Sequence, residues 1–108
     1  MGKYSIGEFE EVVLTLVAAL GEEAYGGAIA DKIKTALRRS VNLSAVHVTL
    51  YRLEDKGYVE SHLGGASSER GGRRKRLFRV TNTGMEMLQA IKESRMQLWE
   101  MVPQLKLS

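Results

Sequence analysis

The sequence predicts a mainly α-helical domain with one small antiparallel β-hairpin. Three observations carry that expectation. Apolar residues recur at helical spacing in three early segments and one late one. A single stretch, residues 58–80, instead alternates and doubles back through glycine. Of 16 basic residues, six fall between Arg70 and Arg79 with no acid among them, leaving 10 basic against 13 acidic residues elsewhere. A mildly acidic body therefore carries a ten-residue segment of charge +6 within that stretch.

The first helix is marked by Phe9, Val12, Val13, Leu16, Val17 and Leu20, with Leu14, Ala18 and Ala19 adding a second apolar face. A helix apolar nearly all round needs covering on both sides, and in so small a domain the second cover is expected to be another subunit. The glycines of "GEEAYGG" break the pattern at residues 21–27. A second helix follows, with Ile29, Ile33, Ala36 and Leu37 on one face, ending near Arg38 and Arg39. Those arginines suit either a helix C-terminus, where the dipole favours cations, or a DNA phosphate.

Asn42 and Ser44 are both candidate caps for a third helix over about residues 43–56. Leu43, Val46, Leu50 and Leu53 share its apolar face, and Gly57 ends it. The opposite face carries Ser44, Val48, Tyr51, Arg52 and Asp55, flanked by Ala45 and His47. Small residues near the start and an arginine two turns later are what a helix in a major groove can use. A plain solvent-exposed face is the competing account.

"YVESHL" and "KRLFRV" read as the two strands of a hairpin over residues 58–80, joined by the glycine- and arginine-rich "GGASSERGGRR". Thr81 caps a last helix over about residues 82–105, which Pro103 ends or kinks. Gly84, Leu88, Ile91, Arg95, Leu98, Val102 and Leu105 follow 4-3 spacing along it, a short seam able to meet the first helix. The order of elements is that of a winged helix-turn-helix with an additional C-terminal dimerisation helix, in one domain spanning residues 1–108. Phe9, Val13, Leu16, Leu88, Ile91, Leu98 and Val102 are the expected dimer contacts.

Several functions are excluded or disfavoured. There is no cysteine, hence no disulfide framework or thiolate nucleophile, which suits a reducing cytoplasm. The longest apolar run, Val12–Leu20, is too short to cross a bilayer and follows acidic residues, so no membrane partner or signal peptide is expected. The start "MGKYSI" has Ile6 where myristoylation requires Ser or Thr. The Asn42-Leu43-Ser44 sequon reads as coincidence without a secretion signal. His47 and His62 are the only histidines and have no carboxylate cluster around them; neither a metal, a cofactor nor catalysis is expected. Glu8, Glu10 and Glu11 read as helix-start residues with a favourable charge.

The basic hairpin is the most specific feature. A solvated turn usually mixes signs, whereas arginine on a glycine-rich tip can reach phosphates or a narrow minor groove. An acidic protein or a membrane surface would satisfy the charge alone, but neither needs the helix before it. Double-stranded DNA is therefore the expected partner. A winged-helix module for protein interaction or RNA is the alternative, weakened by the lack of surface aromatics for stacking bases. Four of the five methionines and the only tryptophan, Trp99, lie on the last helix. Dimer packing accounts for them first; a pocket for a small-molecule effector at Trp99 and Met96 is the second reading.

Together, "GEFEEVVLTLVAALGEEAYGGAI", "LSAVHVTLYRLEDKGYVES" and "ERGGRRKRLFRVTNTG" resemble the PadR-like family of bacterial transcriptional regulators over nearly the whole chain. The resemblance implies a homodimeric winged helix-turn-helix repressor, dimerising through its terminal helices and in some members controlled by small, often aromatic molecules. By position it implies that Ser44, Ala45, Val48 and Arg52 enter the major groove, with His47 beside them among the DNA-binding residues. It also places Arg70, Arg73, Arg74, Lys75 and Arg76 on the backbone or minor groove. His47 stands where the family usually has a tyrosine, whose phosphate contact an imidazole N–H would have to replace. The single C-terminal helix is similar to the family's compact class, in which members that bind flat drugs carry a tryptophan on that helix.

Overall fold

Most helix boundaries follow from a local chemical cause. The computed structural model describes residues 6–64 and 75–105. Helix α1 (Glu8–Leu20) starts where the Glu10 carboxylate accepts the Gly7 backbone N–H at 2.8 Å. It stops at Gly21, whose φ of 59° lies in the region that glycine tolerates best. A short 3-10 turn, Gly21–Glu23, leads into α2 (Gly26–Leu37). Arg38 then takes a left-handed conformation, φ 56°, a position glycine usually fills.

Asn42 caps α3 (Leu43–Asp55), its side chain accepting the Ser44 N–H at 2.8 Å, so the first of the two candidate caps is the one used. Gly57, at φ 82°, turns the chain out of α3 as its sequence position implied. Strands β1 (Val59–Leu63) and β2 (Arg76–Val80) pair antiparallel, with Val59 opposite Val80 and Leu63 opposite Arg76. The Phe78 N–H donates to the Ala24 carbonyl at 2.9 Å, so the segment before α2 is tied to the free edge of β2. Thr81 caps α4 (Asn82–Glu100) by accepting the Gly84 N–H at 3.0 Å. Its hydroxyl also donates to the Gly57 carbonyl at 2.6 Å, joining the start of α4 to the turn before β1.

The architecture is three helices, a two-stranded antiparallel hairpin and a fourth helix, a winged helix-turn-helix as the sequence predicts. One core gathers Val13, Leu14 and Val17 of α1, Ile29 and Ile33 of α2, and Val46, Leu50 and Leu53 of α3. Tyr58, Val59, Phe78 and Met87 close it from the hairpin and α4. Each fully buried aliphatic side chain there contributes roughly 1.5–3 kcal/mol. Burial in this core fixes α3 so that its other face points outward.

Some details differ from the sequence reading. Leu43 and Leu37, placed on apolar faces, are 48% and 47% exposed because they lie at helix ends that overhang the core. Thr49, not singled out from sequence, is buried in α3. Helix α4 ends at Glu100 rather than near residue 105: Pro103 lacks an N–H and disfavours a helical Val102.

Candidate nucleic-acid interface

Because Val46, Leu50 and Leu53 anchor α3, Ser44, Ala45, His47, Val48 and Arg52 are all exposed. Ser44, Ala45, Val48, Tyr51 and Arg52 recur at helical spacing and form one outward stripe, with His47 at its margin. Tyr51 borders the wing, its ring edge-on to Phe78 with centroids 6.1 Å apart. His47 leans the other way, against Gly26 at the start of α2, where a Cβ would overlap the imidazole. Arg52 also lines a cleft between α1 and α3 with Glu10, Thr49 and Lys56.

The Glu10 carboxyl there is governed by opposing effects. Partial burial pushes its pKa up, but the Gly7 N–H, the Lys56 ammonium and the charge of Arg52 outweigh burial and hold it below the usual carboxylate range. Lys56 Nζ sits 3.0 Å from both Glu10 oxygens. The carboxylate thus fixes the C-terminal end of α3 against α1.

The wing arises from the hairpin. Lys75 is exposed at its root, with its ammonium 4.1 Å from the centre of the Tyr25 ring. Arg76 is engaged differently: it donates to Ser61 Oγ at 3.0 Å, and Ser61 donates to Glu54 at 2.7 Å. That chain links β2 through β1 to the end of α3, a structural use of a side chain the sequence placed on DNA. Arg70, Arg73 and Arg74 lie outside the described residues.

Residues assigned from sequence to a dimer interface divide in two. Val13 is 0% exposed in the protomer's own core and has no surface left for a partner. Phe9, Leu16, Leu88 and Ile91 are half-buried against that core. Leu98 and Val102 are exposed, as are Trp99, Met101 and Leu105. The near half of α4 thus covers its own domain, while the far half carries bare apolar side chains.

A family model, the transcriptional regulator PadR-like family, matches residues 13–90. The chain belongs to the PadR-like family. It is a transcriptional regulator of a non-enzymatic kind. No curated protein matches the sequence well enough to serve as a relative. Among solved structures it is similar to a PadR-like transcription factor from Bacteroides fragilis, with 24% identity, TM-score 0.72 and coverage of 87% of this chain and 85% of that one. A PadR family regulator from Clostridium difficile R20291 shares 23% identity, TM-score 0.71, over 91% and 97% of the two chains. A PadR-like regulator from Bacillus cereus shares 26% identity, TM-score 0.67, over 87% and 82%.

In this PadR-like chain a cleft of about 560 Å³ runs between α1 and α4, lined by Ile6, Tyr58, Met87 and Ile91. Arg95 bridges it, its guanidinium 2.6 Å from Glu11. Trp99, 45% exposed, and Met96, half-buried, stand further along α4 and do not line that cleft. Among the described residues no three His, Asp or Glu side chains gather as a metal site. No single described helix is long and apolar enough to cross a membrane.

Sequence reasoning missed the ion pairs of α1. Glu8, Glu10 and Glu11 read only as helix-start charges, yet they pair with Arg39, Lys56 and Arg95 on three different parts of the fold. Their partners lie 31, 46 and 84 residues away, beyond any local pattern.

Proposed function

We propose that this regulator is a homodimeric, sequence-specific DNA-binding repressor of the cytoplasm. The observation that carries this reading is the outward stripe of α3, which presents Ser44, Ala45 and Val48 while Val46, Leu50 and Leu53 are locked in the core. Small side chains at the front of a rigid helix let the backbone enter a major groove closely enough to read base edges. In this reading Arg70, Arg73, Arg74 and Lys75 of the wing bind the backbone or minor groove and supply affinity, whereas α3 supplies most of the choice of sequence. Twofold pairing through α1 and α4 sets two such helices on successive half-sites. A small aromatic effector at Trp99 and Met96, completed by the second subunit, would act through that pairing.

The test is binding to the DNA upstream of the protein's own gene, against a random duplex, as salt is raised. Neutralising several phosphates per subunit should lower affinity by a few orders of magnitude between low and moderate salt. Preference for the upstream duplex supports operator recognition; equal binding to both, or displacement by structured RNA, overturns it. Flat aromatic compounds added to the same assay should quench Trp99 and change DNA affinity together, because regulation requires coupled affinities. Quenching with unchanged DNA binding refutes the effector role.

A further inference from the structure

Three parts of the fold meet at Tyr25-Gly26-Gly27, and the two glycines decide how. Tyr25 folds back on its own helix: a Cβ on Gly27 would stand 3.2 Å from Tyr25 Cε2, so Gly27 leaves the ring its place. Gly26 does the same for His47 of α3, whose imidazole lies against the α2 backbone. Lys75, from the root of the wing, then brings its ammonium to 4.1 Å from the centre of the Tyr25 ring. The wing root and α3 thus each meet the start of α2, Lys75 at the Tyr25 ring and His47 at Gly26; Lys75 and His47 are exposed and Tyr25 is half-buried.

The kind of contact that Lys75 makes is informative. Among the described residues, Arg39, Lys56, Arg79 and Arg95 each hold a carboxylate, and no carboxylate pairs with Lys75. A carboxylate would fix a cation and also neutralise it. A ring face attracts the cation through its quadrupole and leaves the net charge in place. Lys75 is therefore positioned yet retains its charge for an external anion. Gly64 N–H donates to the Lys75 carbonyl at 2.7 Å, so the backbone that carries the side chain is pinned as well.

We propose that Lys75, held by the Tyr25 ring, is a contact for one backbone phosphate of duplex DNA, and that Tyr25 is its positioning residue. The inference rests on the DNA-binding reading above and adds to it a residue outside α3 and the wing. Phosphate contacts of this kind set orientation on the duplex without reading sequence. Tyr25 thereby holds the ammonium at one place relative to the DNA backbone.

Affinity of the full-length protein for the upstream duplex and a random duplex, measured across a salt series, tests both parts. Lys75→Met should weaken both duplexes alike, by about eight-fold at 0.1 M salt and about 0.9 in salt slope for each subunit's contact, or about sixty-fold and 1.8 for a dimer. Lys75→Arg, which keeps the charge, should keep the slope. Tyr25→Leu leaves the charge count unchanged yet should lower the slope as Lys75→Met does, and the double variant should lose no more than either alone. Tyr25→Phe, which keeps the ring, should behave as the unaltered protein. A slope unchanged by Lys75→Met overturns the phosphate contact. A slope lowered by Lys75→Met but not by Tyr25→Leu, in proteins of native circular dichroism, overturns the role of Tyr25. If the unaltered protein binds neither duplex, the DNA-binding reading itself fails, and the two failures are distinguishable.

Discussion

At Gly84 the first turn of α4 passes so close to Tyr58 that a Cβ would overlap the Tyr58 carbonyl oxygen and the Val80 side chain. The obstacle is backbone, which cannot turn aside. Gly84→Ala should therefore destabilise the protein by about 1–3 kcal/mol, the usual cost of overpacking. The measurement is the urea midpoint at unchanged slope. Gly26→Ala meets only the tip of His47, a side chain free to rotate away. It should cost less than about 1 kcal/mol, while altering DNA binding more than Gly84→Ala does. Equal destabilisation by both would show that the two close approaches do not differ in this way. The sequence marked Gly26 as a breaker and Gly84 as one position of a helical seam. Neither could be read as a close approach, because the crowding atoms come from segments distant in the chain.

Helix α1 shows at the scale of an element what periodicity can and cannot reveal. Its apolar surplus was legible, and Val13, Leu14 and Val17 are buried while Ala18 and Ala19 stay exposed. The work of its first turn was not, since Glu8, Glu10 and Glu11 reach Arg39, Lys56 and Arg95 only through the tertiary fold. Exposed pairs of this kind contribute at most about 1 kcal/mol each, but the Glu10 pair is the more enclosed. Its carboxylate is only 13% exposed and its pKa lies below the ordinary value. A carboxyl depressed in the folded state contributes stability that is present above its unfolded pKa and lost as pH falls through the folded one. Stability should thus decline below about pH 4.5, the ordinary carboxylate value, with Glu10 contributing. Glu10→Gln should lower stability near neutral pH and flatten that acid decline in pH-dependent urea unfolding. An unchanged pH profile would show that the Lys56 contact contributes nothing. The hairpin is the complementary case: alternation gave both strands, and the anchoring of Phe78 in the core agrees with it. The pairing of Phe78 N–H with Ala24 was hidden, because Ala24 sits in a short segment with no alternation to betray it.

At the scale of the whole molecule, the described residues extend over 54 × 29 × 23 Å, elongated for a chain whose body is one small core. Nineteen residues of α4 span about 28 Å at 1.5 Å per residue, yet only Gly84 and Met87 of that helix are buried. Leu98, Trp99, Met101, Val102 and Leu105 remain 40–74% exposed on or just beyond its far half. Exposed apolar side chains in such a cluster mark an interaction surface more often than a solvated one. A second copy is the occupant proposed above, and the exposed Ala18 and Ala19 of α1 are the small apolar positions that it would offer. Leu98 is the most informative residue to change, being 54% exposed and so nearly free of its own protomer's core. Leu98→Glu should convert a dimer to a monomer in sedimentation experiments while leaving circular dichroism native. It should also weaken DNA binding by more than ten-fold, since each monomer then engages one half-site without the effective concentration that its partner supplies. A Leu98→Glu protein that sediments as the unaltered chain does would remove the far half of α4 from the interface. An unaltered chain that is monomeric at the concentrations where it binds DNA would overturn the dimer altogether.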